Sequence, residues 1–208
     1  MRVIIFCWEF PPRTVGELAD YVKELAENLA KNNVETYVVT YHEYLTGHRK
    51  EPEGVKIYRV KSPVRTHIGV LTWVLTLNQE VERAAANIFY STDKQLDLVD
   101  VHDWHFIPAA VTLKKAFNLP FLYSVESLED HRSHAANSVF NMSIKSIEWL
   151  GMYEAEKIVV KSEWMRDEVF RIYKTPVDKI KMVAPKSTRW MNEILETYKS
   201  VMGGAISQ

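Results

Sequence analysis

One cysteine stands among the 208 residues, so no disulfide forms within the chain. Cys7 ends the apolar run Arg2-Val-Ile-Ile-Phe-Cys7, a setting for a buried, inert thiol rather than the electropositive, partly exposed one a nucleophile needs. A reducing cytoplasm is the expected compartment. Nor is there an excess of charge of either sign: 26 Lys+Arg face 27 Asp+Glu, a net −1, which removes the broad basic footprint of a nucleic-acid binder. No apolar run approaches the ~20 residues that cross a bilayer. The first residues lead straight into a strand without a small-residue cleavage site, so neither membrane insertion nor secretion is expected. Repeats and low-complexity tracts are also missing.

What is present is a regular alternation of short β-rich runs with amphipathic helices, in a chain that is 47% hydrophobic and long enough for one large core. Residues 3–7 read as a strand, and Phe10-Pro-Pro-Arg-Thr-Val-Gly16 as a loop that proline forbids from continuing it. Leu18, Tyr21, Val22, Leu25, Ala26 and Leu29 give a helix from Glu17 that stops near Asn32-Asn33, followed by a strand over 34–40. The spacing then predicts strands over 54–60, 96–101, 120–125, 156–160 and 179–183, with helices over 68–89 (long or broken), 107–117, 137–153 and 163–173. This is the pattern of an α/β, Rossmann-like, doubly wound, mostly parallel sheet. The expected organisation is one domain over 1–183, a loop and a terminal helix folding back on it over 184–202, and a frayed tail over 203–208.

In such a sheet ligands gather beyond the carboxyl ends of the strands. The segments there are 8–19, 102–105, 126–137 and 161–164. The first sets a Pro-Pro-Arg-x-x-Gly loop before a helix N-terminus, which suits an anion, although Gly16 also fits a simple tight turn. His102-Asp-Trp-His105 offers acid/base or ligand groups, but no further ligands at recognisable spacing complete a metal site, and no metal is expected. Asp103 is equally placed to cap the next helix. His131-x-x-His134 reads as an exposed polar loop or a ligand contact.

Together, the segments 3–16, 101–105 (Val-His-Asp-Trp-His) and 146–165 (Ser-Ile-Glu-Trp-Leu-Gly-Met-Tyr-Glu-Ala-Glu-Lys-Ile-Val-Val-Lys-Ser-Glu-Trp-Met) resemble the N-terminal half of glycogen and starch synthase-like glycosyltransferases, over nearly all of 1–183. The resemblance implies one Rossmann-like domain of the two-domain GT-B arrangement, the one that binds the acceptor glucan. A second domain would hold most of an ADP- or UDP-glucose donor, and no metal is obligatory. It points to Trp8, Gly16, Glu17, His102, Asp103, Trp104, His105 and Glu126 as substrate-binding residues.

Three departures bear on activity. The family loop Val-Gly-Gly-Leu-Gly stands here as Val15-Gly16-Glu17-Leu18-Ala19, and a carboxylate about 4 Å from a phosphate costs on the order of 4 kcal/mol at an effective dielectric near 20. The family Thr-Val-His segment stands as Ser124-Val125-Glu126, and a carboxylate lacks the paired donor and acceptor of imidazole. After 183 the Asn-Gly-Val-Asp continuation into a donor domain is replaced by Ala184-Pro-Lys-Ser187 and a final helix carrying Trp190, Ile194, Tyr198 and Val201, as if a donor domain had been deleted internally. The expected function is a glucan- or small-sugar-binding domain without catalysis of its own, with no catalytic residue assigned, no cofactor, and ADP- or UDP-glucose as donor only beside a partner domain. The alternative is half of a split enzyme completed by a separately encoded donor lobe, with Lys161 and Lys186 facing it. Exposure of Trp73, Trp164 and Trp190 would instead favour self-association.

Overall fold

A computed structural model describes residues 1–51, 53–64, 66 and 68–204. Eight strands form one sheet: β1 (Arg2–Cys7), β2 (Glu35–Tyr41), β3 (Gly47–Lys50), β4 (Lys56–Val60), β5 (Leu98–His102), β6 (Phe121–Ser124), β7 (Lys157–Val160) and β8 (Ile180–Met182). Their order is β3-β4-β2-β1-β5-β6-β7-β8, with every pair parallel except β3 against β4. Seven helices connect or cover them: α1 (Glu17–Lys31), α2 (Val70–Ser91), α3 (Ile107–Phe117), α4 (Glu129–Arg132), α5 (Val139–Glu154), α6 (Glu163–Tyr173) and α7 (Trp190–Gly204). This is the α/β, mostly parallel architecture that the alternation predicts.

Handedness decides which face each helix covers. A strand–helix–strand crossover is right-handed in nearly all proteins. The step from β1 to β2 moves one way along the sheet and puts α1 on one face. The steps from β4 to β5 and onward move the other way and put α2, α3, α5 and α6 on the opposite face. Their core contains Phe6, Val99, Val101, Tyr123, Ile158 and Val160. On the α1 face, Leu98, Leu122, Val159 and Val183 would be left bare beyond the reach of α1. The terminal helix covers them with Trp190, Ile194, Tyr198 and Val201, each at most 4% exposed. An apolar side chain so buried contributes roughly 1.5–3 kcal/mol.

Element boundaries shift modestly from the sequence reading. The helix over 70–91 is unbroken, and α7 continues through Gly203 and Gly204, so the frayed tail does not begin at 203; residues 205–208 lie outside the described residues. The sequence reading has no counterpart of β3, because its four residues are all exposed and polar and carry no apolar alternation. None of the helices formed by the described residues is long and apolar enough to cross a membrane.

Gly151 marks a close approach. A Cβ there would lie 2.8 Å from Ile107 Cδ1 and 2.9 Å from Tyr123 Cδ1. Gly151→Ala is therefore expected to destabilise the fold by about 1–3 kcal/mol, against the ~1 kcal/mol gain that alanine brings to an open helix position. Urea unfolding measures the sign directly. Ile194→Ala should cost about 2–5 kcal/mol in the same assay, since the site is 1% exposed.

Candidate functional site

The strand order reverses direction between β1 and β5, and a cleft of about 520 Å³ opens there beyond the carboxyl ends of the strands. It brings together Trp8, Gly16, Glu17, Asp103, Trp104, His105 and Glu126. His102 lies beneath it, 1% exposed. A larger groove of about 1140 Å³ runs between the β3–β4 edge and α2, but it contains none of the residues that the sequence singles out and lies off the reversal point.

The loop leading into α1 already carries an anion beside the helix end. Glu9, 3% exposed, accepts from the amides of Val15 (2.5 Å) and Gly16 (2.9 Å) through Oε2. Its own carbonyl accepts from the Cys7 thiol at 2.6 Å. The carboxylate supplies the negative charge that the helix end favours. Glu17, the acidic residue flagged in the sequence, is exposed on the cleft wall, so the carboxylate that holds the amides is not the one the loop motif suggests. The signal in the sequence is an acidic residue two positions past the end of β1, where site residues gather.

One wall is aromatic. His105 stacks between Trp8 (centroids 4.8 Å, 11°) and Trp104 (4.3 Å, 25°). Arg13 covers the Trp8 ring at 4.6 Å and the Tyr41 ring at 5.0 Å, and pairs with Glu43 at 2.7 Å. Asp103 caps the turn at 104–106 by accepting from the Trp104 amide at 2.9 Å. It does so at φ 67°, ψ 173°, a backbone conformation that costs a non-glycine residue roughly 1–3 kcal/mol. Burial works against its charge, but His105 and Arg132 hold its carboxyl below the usual range. Asp103 thus serves as cap and cleft wall together.

Behind the opposite wall runs a line of buried charge. Glu126 accepts from His102 Nδ1 at 3.1 Å with one oxygen and pairs with Lys161 through the other. His102 Nε2 lies 3.4 Å from Asp100 Oδ2. Asp100 also accepts from Ser124 Oγ at 2.7 Å and from Tyr198 Oη at 2.6 Å. Burial disfavours a charged imidazole, yet Asp100 and Glu126 outweigh it and raise the His102 pKa to about 9. Burial likewise opposes the Asp100 carboxylate, and His102, Tyr198 and Ser124 still hold its pKa down.

Arg132 anchors the cleft floor. It donates to Glu148 at 2.7 Å, to Glu129 at 3.1 Å and to Ser127 Oγ, and Tyr173 donates to the same buried Glu148. Glu9, Asp100, Arg132 and Tyr198 carry no motif and were not among the sequence candidates. His131 sits in α4 against Glu168 (2.7 Å) and Trp164, away from the cleft lining, and His134 is exposed. Trp190 is 4% exposed and the Trp73 ring meets Tyr41, so of the three indoles considered for self-association Trp164, at 59%, is the exposed one. Lys161 is held by Glu126, while Lys186 is exposed and lies 3.9 Å from Glu24. Among the described residues no group of three or more His, Cys, Asp or Glu is arranged to hold a metal ion.

The raised His102 pKa fixes a pH dependence. A folded-state value of about 9 above the ordinary 6.5 means stabilisation that is complete below pH 6.5 and lost as pH rises toward about 9. The unfolding free energy from urea titration should fall across that window by on the order of 3 kcal/mol, and His102→Gln should flatten the dependence. For this carboxylate, Glu9→Ala removes the charged acceptor of two part-buried amides, at a cost of about 1–3 kcal/mol. The same variant should bind pyrophosphate at least about tenfold tighter than the parent, as titration calorimetry would show.

Against known proteins, the model for Glycosyltransferase Family 4 matches residues 18–185. An uncharacterized glycosyltransferase of Methanocaldococcus jannaschii is 33% identical over 196 residues, covering 93% of this chain and 48% of that protein. Glycogen synthase of Mycobacterium tuberculosis is 24% identical over 187 residues, 83% of this chain and 45% of that one. The chain spans about half the length of these curated relatives. Among solved structures, sucrose-phosphate synthase from Thermosynechococcus elongatus superposes with a TM-score of 0.73 at 17% identity, over 88% of this chain and 47% of that chain. A second form of that enzyme, described by its segments 27–220 and 406–426, matches over 98% of both chains with a TM-score of 0.66 at 14% identity. The fold is that of an N-terminal-type GT-B domain, and the chain belongs to glycosyltransferase family 4.

Proposed function

We propose that this chain is a glycogen synthase-like, acceptor-side lobe that holds an α-glucan or a small sugar in the cleft and does not by itself transfer a glycosyl group. The observation that carries the reading is the Glu9 carboxylate on the Val15 and Gly16 amides of the loop before α1, which sets negative charge where a donor's phosphates would approach the helix end. The rest of the lining agrees with it. Glu17, Asp103, Glu126 and Glu129 face Arg132, the single Lys or Arg of the cleft wall among the described residues, a charge balance hostile to a diphosphate and compatible with neutral hydroxyls. Trp8, Trp104, Val70, Phe140 and Ile144 give the lining apolar surface for the C–H side of a sugar ring. The buried lone thiol fits a reducing cytoplasm.

A second reading is half of a split enzyme, favoured by the apolar cleft rim. Val15, Val70 and Phe140 are 62%, 43% and 42% exposed there, as suits closure against a separate donor lobe. Release of ADP or UDP only after mixing with such a lobe would support this reading over the first.

Calorimetric titration with maltoheptaose should give millimolar or tighter binding, and Trp8→Ala should weaken it about tenfold, roughly 1.4 kcal/mol. Absence of heat at millimolar sugar overturns the reading. So does steady incorporation of hexose from ADP- or UDP-glucose by the purified chain alone.

A further inference from the structure

We infer that the terminal helix sets the orientation of the cleft carboxylate Glu126, acting through Tyr198, Asp100 and His102, so that Tyr198 is a positioning residue for the ligand of the cleft. The ligand part of this inference rests on the sugar-binding reading above, whereas the coupling itself does not.

The four side chains make a path of two hydrogen bonds joined by one close carboxylate–imidazole contact, at His102 Nε2, that falls short of hydrogen-bond geometry. Tyr198 Oη meets Asp100 at 2.6 Å, Asp100 Oδ2 faces His102 Nε2 at 3.4 Å, and His102 Nδ1 meets Glu126 at 3.1 Å. Tyr198 is 0% exposed and Asp100 and His102 1% each, so water does not compete for these contacts. An imidazole with a carboxylate beside each nitrogen cannot turn without moving a nitrogen away from its charge partner. Ser124 holds the second oxygen of Asp100 and Lys161 the second oxygen of Glu126, so both ends of the path are fixed as well. Around His102 stand Asp100 on its own strand, Glu126 after β6, Lys161 after β7, Tyr21 from α1 and Tyr198 from α7.

Sealing the sheet does not require this arrangement. Leu98, Asp100 and His102 share the face beneath α7, and apolar side chains at 100 and 102 would bury there without desolvating charge. Polar groups placed in line from a terminal helix to a cleft wall instead make two sites sensitive to each other. If α7 biases Glu126, a ligand on Glu126 must bias α7 by the same factor.

Tyr198→Phe removes one hydroxyl and keeps the ring. The ligand-free readout is the pair of His102 ring N–H resonances at pH 7, both expected to be protected in the parent. The variant should shift and broaden the Nδ1–H signal, and weaken maltoheptaose binding about fivefold or more. Ile194→Ala, on the same helix and off the path, should lower stability while leaving the ring signals and the affinity of the folded protein unchanged. In a Glu126→Gln background, Tyr198→Phe should add no further loss of affinity. Should Tyr198→Phe fail to fold, Ser124→Ala, which removes the other hydroxyl from Asp100, tests the same path. Ring signals unmoved by Tyr198→Phe, or moved equally by Ile194→Ala, overturn the coupling. A parent that binds no sugar would sink the functional reading instead, and the ring signals would still decide the coupling.

Discussion

The handedness of the crossovers governs both the core and the site. Because every connection from β4 onward advances in one direction along the sheet, its helices stack on one face, and the other face of β5 to β8 has no helix of its own from the alternating series. The chain closes that face with α7, laying Trp190, Ile194, Tyr198 and Val201 over Leu98, Leu122, Val159 and Val183. One helix therefore seals what the alternating units cannot, and whatever it contacts on β5 is tied to the integrity of the whole sheet.

That helix contacts charge as well as hydrocarbon. Asp100 and His102 lie on the covered face of a central strand that ends at the cleft, in register with Leu122 and Ser124 of β6. Burial of four ionisable or polar groups costs desolvation free energy that only mutual pairing offsets. The pairing runs along the strand direction, so it reaches from the middle of the sheet to Glu126. The reversal point places Glu126 and the aromatic wall around one opening, which is why a structural device under α7 and the cleft chemistry share residues.

Much of this was legible before any coordinates. The period of the apolar residues gave α1, α3 and α6 their starting residues, and strand-end reasoning placed Trp8, Gly16, Glu17, Asp103, Trp104, His105 and Glu126 around a common opening. Local pattern could not reveal β3, an exposed polar edge strand whose pairing to β4 is purely a tertiary contact. Nor could it foresee that Glu9 turns back onto the amides of Val15 and Gly16, because the loop motif drew attention to Glu17, its more conspicuous acid. Asp100 carried a signal that went unread: in Leu98-Val-Asp-Val-His102 the alternation puts Asp100 and His102 on the same face as Leu98. The partner that makes such a face tolerable, Tyr198, lies 98 residues away and no spacing rule connects them.

The chemistry left to a ligand follows from which groups are already engaged. The Val15 and Gly16 amides before α1 are bound to Glu9, Lys161 and His102 to Glu126, and Arg132 to Ser127, Glu129 and Glu148. A carboxylate oxygen carries two acceptor positions, so Glu126 retains lone pairs after its two partners are counted, as does Asp103 after the Trp104 amide. The cleft therefore presents spare acceptors and apolar side chains, with its charged donors largely committed. A phosphate brings more acceptors and negative charge to that surface and finds little to bind. A hydroxyl-rich ring brings donors on its edge and C–H groups on its face, matching both kinds of surface at once. Engaged donors, rather than the shape of the opening, give the strongest physical reason to expect a neutral sugar here.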